Sequence, residues 1–579
     1  MILKALYDYY YRCKSLPARG LELKEIAFLI VVDQNGNFLR FEDRRINNKQ
    51  AQEFLVVKSV GRTSSPIANY LYDNSEYVLG CYIKDKTKEF TTNIEKFNTF
   101  KLKVESIYSK YPDNSAIKAV ASFYKNDLST IIDQITHDPL WDEIKKNLNK
   151  RFSNFSFIIQ GDTEIIAEKK ELHPIINHDN HKNRNICLVT GNNSPIVETT
   201  TATMIPQSQA TAKLVSFQVS SGYDSYGKSK GRNAPISEEA EFAYTTALNH
   251  LLRTDSHNKF LIGNRTFVFW ASNNNEAGKQ VEESIWNVFG LNDTKEDDPN
   301  NNIENVRKVF NSIYSGEIKT TLEDRFYILG LAPNSARIAV TYWAEIPLVN
   351  FAERIKRHFD DMEIIDRRMV RKPYMGLHSI LSSITIKGKS SDVSPNLPEN
   401  VVRSIFQGIS YPQPLYSSCI RRIQAESSDK NKKAVSVTRT AIIKAYLNRL
   451  NNNEQKITFM LDKTNTNQGY LCGRLFAVLD KIQGDANNQH SIKERYMNAA
   501  STTPATVFST ILNLSVHHSE NLNEGRKIFF EKIKQEIIEK IDSNGFPTHL
   551  DLQDQGRFFV GYYHQIQSFY NTNEEQPEN

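Results

Sequence analysis

At 579 residues the chain is too long for one hydrophobic core, and two to four domains are expected. Its 39% apolar and 24% charged content is that of an ordinary globular chain, and the longest early apolar run, Ile26–Val32, is too short to cross a bilayer. The net charge of +5 is unevenly spread: residues 351–450 hold 18 Lys and Arg against 9 Asp and Glu, so the rest of the chain carries about −4.

A basic block of that size suits a polyanion, and it suits a solvated basic helical surface equally. Five widely spaced cysteines (Cys13, Cys81, Cys187, Cys419 and Cys472) read as free buried thiols in a reducing compartment, not as a disulfide framework. No basic, apolar, small-residue secretory pattern opens the chain, so a cytoplasmic protein is expected.

The first element is an amphipathic helix over Leu3–Cys13. A strand, IAFLIVV, follows, and then Asn35-Gly36, a hairpin signal because both turn residues accept positive φ; its partner strand is NFLRFED. Next comes RTSSPIANYLYDNSEYVLG, Arg62 to Gly80. Its first half is an aperiodic loop rich in hydrogen-bonding groups, and its second half is an aromatic, β-branched base. Such a segment is either a solvated surface loop or a loop that reads something outside the chain.

Residues 123–184 read as helical and polar in patches, ending in the loop-like HPIINHDNHKNRN. Ser237 caps a helix that buries Ala240, Tyr244, Ala247, Leu248 and Leu251. RTFVFWA and FYILGLAPNSARIAVTYWAEI read as strands on either side of an Asn/Asp-rich insertion, Asn292–Asn302, expected to be a mobile loop. After Pro347 the chain turns helical, with a connector at Lys387–Asn400 and late helices at Gly473–Ile482, Ala505–Val516, Arg526–Asp542 and Gln553–Phe569. In the third of these, Ile528, Phe529, Ile533, Ile537 and Ile541 are expected to face inward, with Gly545 and Pro547 beyond its end. The fold class is therefore α+β: a mixed N-terminal region with β-hairpins, then a C-terminal helical bundle.

Three patterns look like chemistry. Gly222–Ser229, GYDSYGKS, matches G-x-x-x-x-G-K-S after an apparent strand, LVSFQV. A phosphate loop needs its helix to start at once, and Pro235 with five further residues intervenes, so a flexible basic loop over Lys228–Asn233 is the better reading. His173, His178, His181 and Cys187 share a region without the spacing of a compact zinc site. His137-Asp138 and His178-Asp179 lack the further ligands that an HD-type metal nuclease needs. No cofactor and no metal is expected.

The opening MILKALYDYYYRC, then RTSSPIANYLYDNSEYVLG, CLVTGNNSPI at Cys187, LVSFQVSSGYDSYGKSKGRNAPISEEAEFAYTTALNHLL, FYILGLAPNSARIAV and DLQDQGRFFVGYYHQ form an ordered series. That series resembles the large subunit of the subtype I-C CRISPR interference complex (Cascade) over nearly the whole chain. The resemblance implies a non-enzymatic subunit in antiviral defence, with guide RNA and target double-stranded DNA as its nucleic acids. Its implied protein partners are the backbone, guide-end-capping and small subunits, with a helicase–nuclease recruited on target binding and no membrane involved.

It also implies that residues 1–346 read the flanking motif and dock the guide-end subunit. Residues 347–579 form the helical part, in which 460–579 resembles the small subunit; Met460 is then either an internal start or a core methionine. On this resemblance Asn69 and Ser64 read base edges in the minor groove, while Arg62, Lys58 and Thr63 hold phosphates and Asn74 and Asp73 brace the loop. Lys228, Lys230, Arg232 and Asn233 meet nucleic-acid backbone. Arg367, Arg368, Arg371, Lys372, Arg421, Arg422, Lys432, Lys433 and Arg439 line a path for the displaced strand, with Tyr374 or Tyr411 either stacking a base or buried. The alternative function is a nucleotide- or metal-dependent nuclease.

Overall fold

The computed structural model describes residues 1–570 except 61, 63, 64, 85–88, 149, 151, 175–182, 204, 218–223, 225, 254, 289–298, 322, 367–375, 390, 391, 395, 430, 451–454 and 488–490; the side chains of 286–288 and 299–305 are also outside the description. The chain divides into two compact units, one of residues 13–198 with 231–246 and one of residues 1–12, 199–230 and 247–579.

In the first unit the run FLIVV forms the strand Phe28–Val32, buried at every residue, as a strand covered on both faces must be. It pairs antiparallel with Phe38–Asp43 and parallel with Asn154–Ile159, whose other edge takes Tyr72–Asn74 antiparallel. The hairpin turn forms where Asn35-Gly36 places it. Gly36 has φ +89, and a Cβ there would lie 2.4 Å from the Ala119 carbonyl, so both backbone and packing require glycine. Asn154–Ile159 is a strand inside a stretch read as helical. The helices Ile94–Lys110, Ser115–Phe123 and Leu128–Thr136 complete the core with Phe97, Phe100, Val104, Ile117, Val120, Ile131 and Ile135.

A separate ribbon, Leu21–Glu25 against Glu53–Val57, ends where Leu21 faces Val57. The loop of interest leaves from that end and returns at Tyr72. The helix Glu238–Leu251 starts as expected, with Ser237 Oγ accepting the Ala240 amide at 3.1 Å, and all five of its expected apolar residues are buried.

The second unit holds a four-stranded antiparallel meander: Lys259–Ile262, Arg265–Ala271, Arg325–Asn334 and Arg337–Pro347. Of the insertion expected as a loop, residues 292–298 lie outside the described residues, and residues 299–302 open a helix, Pro299–Ser315. After Pro347 every described regular element is helical. In the bundle Gln468–Asn487 packs on Leu552–Ser568 so closely that a Cβ on Gly473 would sit 2.0 Å from the Phe558 carbonyl, and one on Gly561 2.2 Å from that of Tyr470. Two helices meeting backbone to backbone fix which residues of each are buried.

The third late helix, Glu524–Ile538, is set differently from the expectation. Phe530 and Ile537 are buried, whereas Ile528 and Phe529 are 50% and 45% exposed. The inward stripe runs through Phe530, Ile533, Ile537 and Ile541, and Ile528 and Phe529 fall off it. Met460 is 40% exposed, so it is not a core methionine. Cys81, Cys187, Cys419 and Cys472 are buried free thiols, and Cys13 is half-buried.

Candidate nucleic-acid interface

The loop from Lys58 to Leu71 is tied at its root. The Lys58 amide donates to the Gly20 carbonyl at 2.8 Å, and the Ser59 amide donates to Glu22 Oε1 at 3.1 Å. The Tyr72 hydroxyl lies 2.9 Å from the same Glu22 oxygen and 3.1 Å from the Val57 carbonyl.

Two straps then cross the loop. Val60 N–H donates to Asn69 Oδ1 at 3.0 Å, and Arg62 Nε–H donates to the Ile67 carbonyl at 2.8 Å. Asp73 anchors both. It accepts from the Arg62 guanidinium, from the Asn69 amide at 2.8 Å and from the Asn74 amide at 2.8 Å. The Arg62 guanidinium also stacks 4.1 Å from the Tyr77 ring centroid. Burial pushes the Asp73 carboxyl up, and Arg62 with the amide donors pulls against it. Leu71 is buried at φ +63, a left-handed conformation that costs an L residue roughly 1–2 kcal/mol. The Ser156 hydroxyl, donating to its carbonyl at 2.8 Å, helps hold it there.

The site residues fall into distinct positions. Asn69 is 7% exposed with its oxygen committed to Val60, so it shapes the loop instead of facing outward as expected. Arg62 is exposed, but its guanidinium is directed onto Asp73 and Tyr77. Asn74 caps the helix Ser75–Val78 through its side chain. Thr63 and Ser64 lie outside the described residues, while Ser65 and Ile67 are exposed. Lys58 Nζ lies 5.2 Å from the Phe242 ring centroid. Lys58 also lines a cavity of about 570 Å³ with Arg19, His173, Glu238, Glu241 and Phe242. Arg19 is paired to Glu238 at 2.7 Å, so the cavity balances its cations with carboxylates and lacks the surplus positive charge that a phosphate requires.

The basic loop is not a phosphate loop. Gly222 lies outside the described residues, and the described part of LVSFQV forms no strand. Gly227 is followed by a short 3₁₀ turn, Lys230–Asn233, and the α-helix starts only at Glu238. Lys228 and Arg232 are exposed, Lys230 and Asn233 half-buried; Arg232 Nη2 donates to Asn183 Oδ1 at 2.6 Å. His178 and His181 lie outside the described residues. His173 Nε2 donates to the Ala167 carbonyl at 3.1 Å, and Cys187 Sγ accepts from the Ser237 amide at 3.2 Å.

In the basic C-terminal block the charges separate into inner and outer sets. Arg439 is buried, donating to Glu426 and to the Ser383 and Ala434 carbonyls, and Arg422 pairs with the same Glu426. Both spend their charge on Glu426, Arg439 buried and Arg422 half-buried, which argues against either in a strand path. Arg421, Lys432 and Lys433 are exposed. Arg367, Arg368, Arg371, Lys372 and Tyr374 lie outside the described residues. Tyr411 is buried, its hydroxyl 2.7 Å from His358 Nδ1, so it offers no face to a base.

Sequence reasoning missed Glu22 as the tie at the root of the loop. Its carboxylate, polar on the ribbon strand that meets the loop, left the one trace of this in the sequence. A family model described as CRISPR-associated protein (Cas_Csd1) matches residues 6–570. No curated protein matches the chain.

Proposed function

The chain belongs to the Cas_Csd1 family of CRISPR-associated proteins, that of the large subunit of the subtype I-C interference complex, and on that premise we propose that it reads the short motif flanking a DNA target. In this reading it also stabilises the opened strands and recruits the helicase–nuclease. Guide-RNA pairing carries most of the sequence recognition, and the protein supplies motif readout and the start of strand opening, a division of labour known from another effector class.

The observation that carries the reading is the loop 58–73. A polar segment whose root is fixed by a buried carboxylate, two backbone amides and a stacked arginine needs less ordering on binding than a free one. Base-edge contacts fall to Thr63 and Ser64, whose hydroxyls suit the acceptors of the minor groove. Asn69, Arg62, Asp73 and Asn74 hold them in register. Lys228, Lys230, Arg232 and Asn233 meet the backbone. Arg421, Lys432 and Lys433, with Arg367, Arg368, Arg371 and Lys372, serve the displaced strand. Residues 1–346 take the motif and the guide-end subunit; 347–579 carry the helical portion, with 460–579 equivalent to the small subunit.

The subunit acts by binding, in the cytoplasm, without catalysis. No helix among the described residues is long and apolar enough to cross a membrane. The test is co-expression with guide RNA and the backbone subunits, followed by duplex binding with correct and scrambled flanks. The chain is expected to co-purify and to discriminate flanks. Thr63→Ala with Ser64→Ala should abolish that discrimination, and Lys432→Glu with Lys433→Glu should weaken opening more than motif binding. Cutting of DNA by the purified chain with magnesium or manganese, or flank-blind binding, would overturn the reading.

A further inference from the structure

We propose that Tyr226 is a stacking platform for an unpaired base of the target DNA. Its side chain is 98% exposed, more than any other large apolar side chain among the described residues. Its backbone is left-handed, φ +53, and Gly227 follows at φ +68. For a tyrosine that conformation costs roughly 1–2 kcal/mol, and a ring in solvent regains nothing by packing. Asn or Gly would make the same turn without strain. Folding therefore gives no reason for an aromatic residue here, and binding does.

A hydrogen bond between Asp224 and Lys230 brackets the ring in sequence. Asp224 Oδ1 accepts the Lys230 amide at 3.2 Å, and Lys230 is itself left-handed at φ +47. Lys228, two residues beyond the ring, is exposed. A solvent-facing aromatic with lysines in the same short turn combines a π-face with positive charge, the pairing that single-stranded nucleic acid requires. A protein partner of matching chemistry would be acidic, but nothing then calls for a bare ring. The bases of a closed duplex offer no free face, so the ligand is a base released as the strands part. This inference rests on the proposed function, in which the complex opens a duplex.

The experiment uses the assembled complex on a target duplex with the correct flank. 5-Iododeoxyuridine is placed at successive positions along the opened region, because on irradiation it crosslinks to an aromatic ring stacked on it. A crosslink at one or two adjacent positions, mapped to the peptide holding Tyr226, is expected. Tyr226→Ala should remove it and lower the equilibrium for strand opening about tenfold, the size of one base–aromatic stack. Tyr226→Phe should restore opening, since the ring and not the hydroxyl does the work. No crosslink at any position, with unchanged opening in Tyr226→Ala, overturns the proposal. So does a Tyr226→Ala variant that assembles in lower yield but opens DNA normally per assembled complex, because the ring then docks on protein. Failure of the wild-type complex to bind with flank dependence sinks the functional reading itself, and shows before any variant is compared.

Discussion

Replacing Asp73 by alanine isolates the device that holds the reading loop. Asp73 is 1% exposed and accepts from the Asn69 and Asn74 amides, both at 2.8 Å, and from Arg62. Removing it leaves two amide donors without partners in a buried setting, each costing about 1–3 kcal/mol. Arg62 adds less than a fully buried partner would, because its side chain is 29% exposed and can turn to water. The expected loss is about 2–5 kcal/mol, felt first as opening of residues 58–74. Asp73→Asn keeps the shape and one acceptor oxygen, and should lose about half as much. Hydrogen exchange reads the effect directly: the Val60 and Asn69 amides, protected by the straps, should exchange faster in Asp73→Ala, while the Phe28–Val32 amides stay protected. In the assembled complex, flank discrimination should fall further than total DNA affinity. Unchanged exchange at Val60 and Asn69 would refute the argument that Asp73 organises the loop.

Other consequences can be checked separately. Gly473→Ala forces a methyl against the Phe558 carbonyl and should destabilise the bundle by about 1–3 kcal/mol, measured by denaturant melting of the helical signal. Arg439→Ala leaves the buried Glu426 with Arg422 still paired to it, and should cost less than the ~3–5 kcal/mol of a buried pair broken outright, without altering the salt dependence of DNA binding; a reduced salt slope would instead place Arg439 at the DNA. His564 is fully buried, and burial, with the nearby Lys444 charge, lowers its pKa to about 3 from an ordinary 6.5. The unfolded chain therefore takes up a proton at this site that the folded chain refuses. The stability tied to His564 is whole above pH 6.5 and erodes as pH falls toward 3, by about 2 kcal/mol at pH 5. His564→Gln should flatten that part of the stability–pH curve, and an unchanged curve counts against it.

The parts of the fold that were legible in sequence are those fixed by local stereochemistry. Gly36 had to turn where φ is positive, and Ser237 had to cap the helix it precedes. The strand Asn154–Ile159 was not legible, because four apolar residues in so short a run set no clear period and the partner that defines them, Phe28–Val32, lies more than a hundred residues away. The run Ile528-Phe529-Phe530 left the phase of its helix open, and packing chose Phe530. At the site, composition marked the loop as polar but could not say which polar groups look inward. One carboxylate, Asp73, takes up both the Asn69 amide and the Arg62 guanidinium. In the basic block, counting charges could not show that Glu426 holds two arginines, Arg422 and Arg439.

The helix Ile2–Arg12 packs within the unit completed by residues 247–579. Its Tyr9 lies edge-on to Trp270 with ring centroids 6.3 Å apart, and Arg12 pairs with Glu282 at 3.4 Å. During synthesis this helix leaves the ribosome some 260 residues before the strand and helix that receive it. At about 5–20 residues per second, that is a wait on the order of tens of seconds. Through that interval its apolar face has no native partner, while the intervening unit, residues 13–198 with 231–246, is already emerging. The order of translation thus runs against the order of docking.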